Sequence, residues 1–198
     1  MKEVISKAER TRAYIIEKTA PIFNTKGYAG TSLNDMTEAT GLTKGSIYGN
    51  FANKDEVALA VFDYNLQKVS GIITAEVSKA KTVRDKLLVY ADVYTNFKNY
   101  PFPAGGCPIQ NTAIDADDTH PALKAKAAKA INNWKKEIAS LIKDGKTIGE
   151  FNAKTDSERI AITIIAMIEG SIMMANVTGK IEYRKLVMES VTAFIKEL

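Results

Sequence analysis

The sequence predicts an all-α protein with a small N-terminal helical domain and a larger helical domain behind it. Three observations support this fold class: apolar residues recur at helical spacing, prolines number only five, and runs of Val, Ile and Thr with period two are missing. With 198 residues, of which 45% are apolar and 25% charged, the chain is long enough for one or two domains with a hydrophobic core.

Long predicted helices account for most of the chain. In the first, residues 7–26, Pro21 should kink the helix because it lacks a backbone donor, and Gly27 should end it. Thr155 and Glu158 have the spacing of a capping box and predict the start of a later helix. The other long helices are expected at residues 54–79, 82–99, 121–144, 157–177 and 182–197, with a shorter helix at residues 108–116.

Two short helices are expected between the first helix and residue 54. Thr31 or Ser32 can cap the first of them, and Gly41 ends it. Thr43 can cap the second, which covers residues 44–51. Two short helices joined by a tight turn that contains glycine form a helix-turn-helix, whose second helix lies in the major groove of DNA.

The front edge of the second short helix is suited to DNA. Small residues there let the backbone approach the base edges, and hydroxyl and backbone N–H groups bind phosphate oxygens. Lys44 can reach a phosphate or a guanine edge, and Lys54 can pair with a phosphate, although each alone could also be a solvated surface lysine, the usual state of lysine. Tyr48 can touch the DNA backbone or a thymine methyl group, or it can be half-buried packing. The DNA-binding residues predicted from this pattern are Thr43, Lys44, Gly45, Ser46, Tyr48 and Lys54.

A family resemblance rests on eighteen residues in one order: Ile15, Phe23, Gly27, Tyr28, Thr31, Ser32, Asp35, Met36, Ala39, Gly41, Leu42, Thr43, Gly45, Ile47, Tyr48, Phe51, Lys54 and Val57. Through them, residues 12–57 resemble the N-terminal domain of the TetR family of transcriptional regulators. The resemblance adds Thr31, Ser32 and Asn50 to the predicted DNA contacts. Family members usually have His or Tyr at the position of Asn50, and asparagine can still donate a hydrogen bond to a phosphate.

The resemblance implies residues 1–53 as the DNA-binding domain and residues 54–198 as a ligand-binding and dimerisation domain with a long connecting helix, 54–79. It implies a regulator, by the family's common mode a repressor, that leaves a palindromic double-stranded operator when a small-molecule inducer binds. An activator and a DNA-binding protein without a ligand stay open as alternatives. No cofactor, metal or enzymatic activity is expected.

The last two helices are the predicted homodimer interface. Residues 157–177 are apolar nearly all round, and residues 182–197 carry one apolar stripe, so both are expected to pair with their copies. The same pattern would also arise if the two helices only built the core of the monomer.

The ligand site is predicted from aromatic and methionine side chains, which suit an apolar or aromatic inducer. These side chains are equally compatible with an ordinary helical core. The predicted ligand-binding residues are Tyr90, Tyr94, Phe97, Phe102, Cys107, Asn111, Trp134 and Met167.

Cys107 supports two further readings besides a buried packing residue. It precedes Pro108 near a helix start, where a thiol is more reactive, so it would suit a redox or electrophile sensor. Together with His120 and Asp115, Asp117 or Asp118 it would, less plausibly, form a small Cys/His enzyme.

Charge and hydropathy set the remaining expectations. The net charge is +4, and residues 1–54 contribute +3 of it, from eight Lys/Arg against five Asp/Glu, which is compatible with an anionic partner. The start, MKEVISKAER, lacks the apolar core of a secretory signal. The longest apolar run, residues 160–177, is interrupted by Glu169, Gly170 and Asn176, so a cytoplasmic protein that does not span a membrane is expected.

Overall fold

The structure, a computed structural model, describes residues 6–198. Within these residues the chain forms α-helices, a one-turn 3-10 helix at Phe97–Asn99 and no strand, which confirms the all-α prediction. The helices are α1 (Lys7–Gly30), α2 (Leu33–Thr40), α3 (Lys44–Tyr48), α4 (Lys54–Val77), α5 (Val83–Thr95), α6 (Pro108–Ala116), α7 (Pro121–Thr147), α8 (Ser157–Thr178) and α9 (Glu182–Lys196).

The chain folds into two compact units. Unit 1 comprises the described residues up to Lys68 together with Pro103–Ala128, and unit 2 comprises Val69–Phe102 and Lys129–Leu198. The functional boundary predicted after residue 53 falls inside unit 1. The two divisions differ because α6 packs against α1, and because α4 is joined to α1 by a hydrogen bond from Asn65 Nδ2 to the Ala20 carbonyl, 3.2 Å.

In unit 1, α1 packs against both α2 and α6, and α2 packs against α3. The apolar side chains predicted to face inward are buried there. They include Ile15, Phe23, Met36, Ile47 and Phe51. Burial of such side chains removes apolar surface from water, so this core holds the short helices in place even though neither would be stable alone.

The break in α1 lies at Gly27, whereas the kink expected at Pro21 stays a prediction, since the backbone keeps helical angles there. Only Gly27 has non-helical angles inside α1, with φ 72° and ψ 178°. Pro21 and Glu17, one turn before it, are both exposed, so water can bond the carbonyl that the proline leaves without a donor. Glycine is required at position 27, because a Cβ atom there would lie 2.7 Å from Asp115 Oδ1.

Other helix ends differ from the predictions by a few residues. α3 ends at Tyr48 instead of residue 51, α5 ends at Thr95 and continues only as the 3-10 turn, and α7 extends to Thr147. The predicted capping box of α8 is wrong, since Thr155 lies one residue too early. Asp156 caps α8 instead, and its Oδ1 accepts hydrogen bonds from the N–H groups of Glu158 and Arg159, both 3.2 Å.

Unit 2 is held together by α9, which packs against both α8 and α5. The Glu150 carboxylate caps α5 by accepting from the N–H groups of Val83 and Arg84, at 3.0 and 2.9 Å. The Arg84 guanidinium in turn donates to the carbonyl oxygen of Ile195 at 2.7 Å, near the end of α9. These charge-assisted bonds join the start of α5 to the end of α9.

α8 is long and apolar enough to cross a membrane by length and composition. A core helix of a globular protein has the same properties, and nine residues of α8 are buried within the fold. Its large apolar side chains outside the core are Ile162, Met173, Met174 and Val177.

Candidate nucleic-acid interface

The helix-turn-helix is built by local hydrogen bonds. Ser32 caps α2: its Oγ accepts from the Asp35 N–H at 3.1 Å, while Asp35 Oδ2 accepts from the Ser32 N–H at 2.7 Å. Gly41 ends α2 in the left-handed region with φ 66°. Thr43 then caps α3 by accepting from the Ser46 N–H at 3.2 Å. The two helix starts thus use hydroxyl side chains that accept from backbone N–H groups, and the helix end uses a glycine that adopts a positive φ.

α3 presents its first residues to solvent. Thr43, Lys44 and Gly45 are exposed, and Ser46 and Tyr48 are half-buried. Ile47 is fully buried and anchors the short helix on its opposite side. The structure therefore gathers the predicted DNA-binding residues of α3 on one accessible edge.

Thr31 does not belong to this edge, and its predicted DNA contact is wrong. Its side chain is only 1% exposed, and its hydroxyl donates to the Gly27 carbonyl at 2.6 Å. The hydroxyl therefore serves to close the break in α1. Ser32 is exposed, but its hydroxyl is already engaged with Asp35, to which it donates at 2.7 Å.

Asn50 and Lys54 lie beyond the end of α3, and both have partners within unit 1. Asn50 Nδ2 donates to the Ser46 carbonyl at 2.9 Å. Lys54 Nζ lies 4.3 Å from the centre of the Tyr28 ring, a cation–π contact. Both residues are half-buried, and their contacts with DNA remain predictions.

Arg12 supports the interface, and the sequence analysis missed it. Its guanidinium donates to the Asn50 carbonyl and to Glu56 Oε1, both at 2.6 Å, and lies 4.0 Å from the centre of the Phe51 ring. The Ala52 N–H and then Arg12 hold the pKa of Glu56 below its usual value. Arg12 thereby fixes the connection between α3 and α4 to α1. Its partners lie 38 and 44 residues away, so local spacing carries no signal for them.

Tyr28 joins several elements of unit 1 behind the helix-turn-helix. Its hydroxyl donates to Asp55, its N–H donates to Asp115 Oδ2 at 2.6 Å, and its ring meets the His120 ring edge-on at 4.5 Å. The hydrogen bond to Asp55, and secondarily burial, raise the pKa of Tyr28 to about 12. His120 is buried, and its Nδ1 accepts from the Leu123 N–H at 3.2 Å, so it caps α7. Asp115 and His120 thus both have structural roles here.

Asp35 makes the capping of α2 sensitive to acid. The Lys26 ammonium at 2.5 Å, and then Ser32, hold the pKa of Asp35 well below its usual range. A carboxylate whose pKa is lower in the folded state stabilises the fold above its unfolded pKa, and this contribution is lost as the pH falls through the folded value.

We therefore expect the wild-type protein to lose more stability than Asp35→Asn when the pH is lowered from about 5.5 to about 2.5. Urea unfolding at the two pH values measures the difference. The exposed Asp118, changed to Asn, serves as the control and should behave as the wild type does. Equal losses in wild type and Asp35→Asn would contradict this role of Asp35.

The predicted ligand-binding residues divide between the two units. Tyr90 and Tyr94 are buried in unit 2, where their ring centres lie 6.5 and 6.2 Å from that of Trp134; Tyr94 also lies 5.6 Å from Phe102. Burial, and then the charge of Glu137, raise the pKa of Tyr90. We call Tyr90, Tyr94, Phe102 and Trp134 the aromatic cluster. Phe97 and Met167 also belong to unit 2.

Cys107 and Asn111 belong to unit 1. Asn111 Nδ2 donates to the carbonyl oxygens of Asn24 and Gly105, at 2.8 and 3.1 Å, so its amide joins α6 to α1. The Cys107 side chain is only 5% exposed, which fits a packing residue better than a thiol open to electrophiles. Among residues 6–198, no three His, Cys, Asp or Glu side chains form a group that could hold a metal ion.

Comparison with known proteins agrees with this geometry. Residues 15–61 match the family described as bacterial regulatory proteins, tetR family, and residues 84–191 match the tetracyclin repressor-like C-terminal domain. A solved TetR-family regulator from Cytophaga hutchinsonii is 49% identical, with a TM-score of 0.95 over 99% of this chain and 98% of that one. Another, from Chloroflexus aurantiacus, is 35% identical, with a TM-score of 0.92 over 96% of each chain. An uncharacterised HTH-type transcriptional regulator from Lactococcus lactis is 28% identical over 85% of this chain and 84% of its own length.

Proposed function

Because this chain belongs to the TetR family of transcriptional regulators, we propose that it is a repressor that releases a palindromic operator when a small molecule binds unit 2. Members of this family are DNA-binding regulators and not enzymes, and they act as homodimers. On this proposal the protein works in the cytoplasm, where the DNA is.

The exposed front edge of α3 carries this proposal. The major groove is about 12 Å wide and accepts one helix, provided that its leading side chains are small. Thr43 and Gly45 meet this condition, and Lys44 between them places a positive charge where a phosphate would lie. The buried Ile47 and the hydrogen bond from Arg12 to the Asn50 carbonyl hold this edge in place, as a helix that contacts base edges requires.

The apolar surface of α8 and α9 supports a homodimer. Leu186 of α9 and the exposed residues of α8 would be covered if the two helices paired with their copies. Two-fold symmetry in the protein then matches the palindrome in the operator.

The aromatic cluster supports a ligand site in unit 2. Tyr90 and Tyr94 are buried, whereas Phe102 and Trp134 keep part of their surface open, so the cluster offers an apolar wall that a small molecule can reach. A ligand that binds one conformation of unit 2 better than another shifts the protein toward that conformation and lowers its affinity for DNA.

A direct test is affinity selection of genomic DNA fragments by the purified protein, followed by footprinting on the fragment that is enriched most. We expect two protected half-sites related by two-fold symmetry, with centres about 10 base pairs apart or a multiple of that distance. The absence of any enriched fragment, or a single asymmetric footprint, would count against a dimeric operator binder.

Lys44→Gln should weaken binding to specific and random DNA by similar factors, because a phosphate contact carries no sequence information. The slope of log affinity against log salt should fall in magnitude by about one. Fluorescence anisotropy across a salt series measures both quantities. Lys143→Gln, at an exposed position of α7, makes the same charge change outside the helix-turn-helix and should leave the slope unchanged. An unchanged slope for Lys44→Gln would remove Lys44 from the interface.

A further inference from the structure

Arg184, in the first turn of α9, is a buried cation. The residue is only 5% exposed, and its Nε atom is buried and finds no hydrogen-bond partner within the part of the chain that the structure describes. Its guanidinium donates a long hydrogen bond from Nη2 to Asn176 Oδ1 at 3.5 Å. Among residues 6–198, no carboxylate lies within ion-pair distance of this guanidinium.

This environment is unusual for arginine. The guanidinium stays protonated in proteins, and fully buried arginines are almost always paired. Burial lowers the pKa of Arg184, while the neighbouring Tyr94 acts in the opposite sense. Two other arginines of the fold have several hydrogen-bond acceptors each. Arg12 donates to a carboxylate and a carbonyl group, and Arg84 donates to three carbonyl oxygens.

Arg184 is linked to the aromatic cluster through Phe97 and Tyr94. Its guanidinium carbon lies 3.8 Å from the centre of the Phe97 ring, in a cation–π contact. Tyr94, close enough to influence the charge of Arg184, is also the ring that contacts both Phe102 and Trp134. A positive charge with unused hydrogen-bonding capacity therefore lies against the Phe97 ring, three residues after Tyr94 of the aromatic cluster, and all these residues belong to unit 2.

We propose that Arg184 is an anion-binding residue of the ligand site and that the inducer is a carboxylic acid with an apolar or aromatic body. Its carboxylate pairs with the Arg184 guanidinium, and its body lies against the aromatic cluster. The inference rests on the proposed function and narrows the ligand from any apolar molecule to an apolar acid. Arginine is the side chain best matched to a carboxylate, because its planar fork forms two parallel hydrogen bonds.

A carboxylate from a second copy of the chain is the competing partner for Arg184. The ligand is favoured because the ring that contacts the guanidinium, Phe97, comes from the same chain, and because Tyr94, three residues earlier, belongs to the aromatic cluster, whose wall suits a small apolar body. The two partners predict opposite effects of removing the charge. A buried arginine without its ligand lowers the stability of the ligand-free protein, whereas an arginine that is paired within the dimer raises it.

The first arm of the test compares wild type, Arg184→Met and Lys185→Met, each refolded from urea to remove co-purified small molecules. Methionine keeps the length of the side chain and removes its charge. Lys185 is the exposed neighbour of Arg184, so its change is a matched control for charge. We expect the midpoint of thermal unfolding of Arg184→Met to equal or exceed that of wild type. A midpoint several degrees below both others would show a partner inside the protein and overturn the proposal.

The second arm measures thermal unfolding with sodium decanoate and sodium 1-naphthoate, beside the methyl esters of both acids. We expect at least one acid to raise the wild-type midpoint, on the order of 5 °C at a hundred times its Kd. This shift should persist in Lys185→Met, vanish in Arg184→Met and be absent with the esters. If neither acid raises the midpoint, or if the shift is the same in Arg184→Met, the proposal is wrong.

Operator binding separates this inference from the proposed function. Arg184→Met should bind the operator with wild-type affinity, because Arg184 lies outside the helix-turn-helix. If neither acid raises the midpoint of thermal unfolding while the wild-type protein binds its operator, only the proposal of an acidic ligand is refuted. A wild-type protein that binds no operator refutes the regulator itself.

Discussion

Gly45→Leu is expected to abolish specific operator binding and to leave the fold intact. A Cβ atom at position 45 would have Thr43 Oγ1, 4.0 Å away, as its nearest neighbour, so unit 1 has room for a side chain. Glycine also costs a helix roughly 0.5–1 kcal/mol relative to alanine, so the variant should unfold at the same temperature as the wild type or slightly higher. In the groove, however, the leucine would occupy the space of the base edges. We expect operator affinity to fall by about 100-fold or more, toward the level of non-specific binding.

Fluorescence anisotropy on the operator and thermal unfolding by circular dichroism together test this result. Gly71→Leu is the matched control: Gly71 is an exposed glycine of α4, and among residues 6–198 a Cβ atom built there would meet nothing within 4 Å beyond its chain neighbours and the backbone of its own helix. It should be stable and bind the operator as the wild type does. Normal operator binding by Gly45→Leu would show that α3 does not enter the groove.

Gly145→Ala is expected to destabilise unit 2 by about 1–3 kcal/mol or more, which is the cost of overpacking a core. A Cβ atom at Gly145 would lie 2.2 Å from Cδ2 of the Phe151 ring. Phe151 is buried, and its N–H and that of Glu150 both donate to the Gly145 carbonyl, so neither partner can move freely. The Arg84 guanidinium lies 4.9 Å from the centre of the same ring, so the displacement would also strain the link between α5 and α9.

Urea unfolding measures the loss. Gly71→Ala provides the control, since it adds the same methyl group to a helix with open space around it, and its stability should rise slightly. Equal stabilities of Gly145→Ala and the wild type would mean that Phe151 does not pack against Gly145 as described.

Local sequence signals predicted the helices well. Pro121, at the first helical position, located the start of α7. Capping residues and glycines located both short helices of the helix-turn-helix. Such signals act over three or four residues, where a side chain meets its own backbone.

Contacts between distant segments were not predictable in this way. Arg12 meets Glu56 across 44 residues, and Arg84 meets the carbonyl of Ile195 across 111. A lone sequence shows these residues as ordinary surface charges, because only the fold brings their partners near. The burial of Thr31 and of Arg184 belongs to the same class, because only the fold shows which side chains surround them.

On the proposed function, this protein reads one DNA sequence through α3. Fluorescence anisotropy of the purified wild-type protein on DNA flanking its own gene, beside a shuffled sequence of the same composition, tests it most directly across a salt series. We expect a Kd of about 10⁻⁸ M or tighter for one segment, at least about 1,000-fold tighter than for the shuffled DNA. The affinity for that segment should decrease steeply as the salt concentration rises. Equal, weak binding to both DNAs, together with no enriched fragment in the genomic selection, would contradict it.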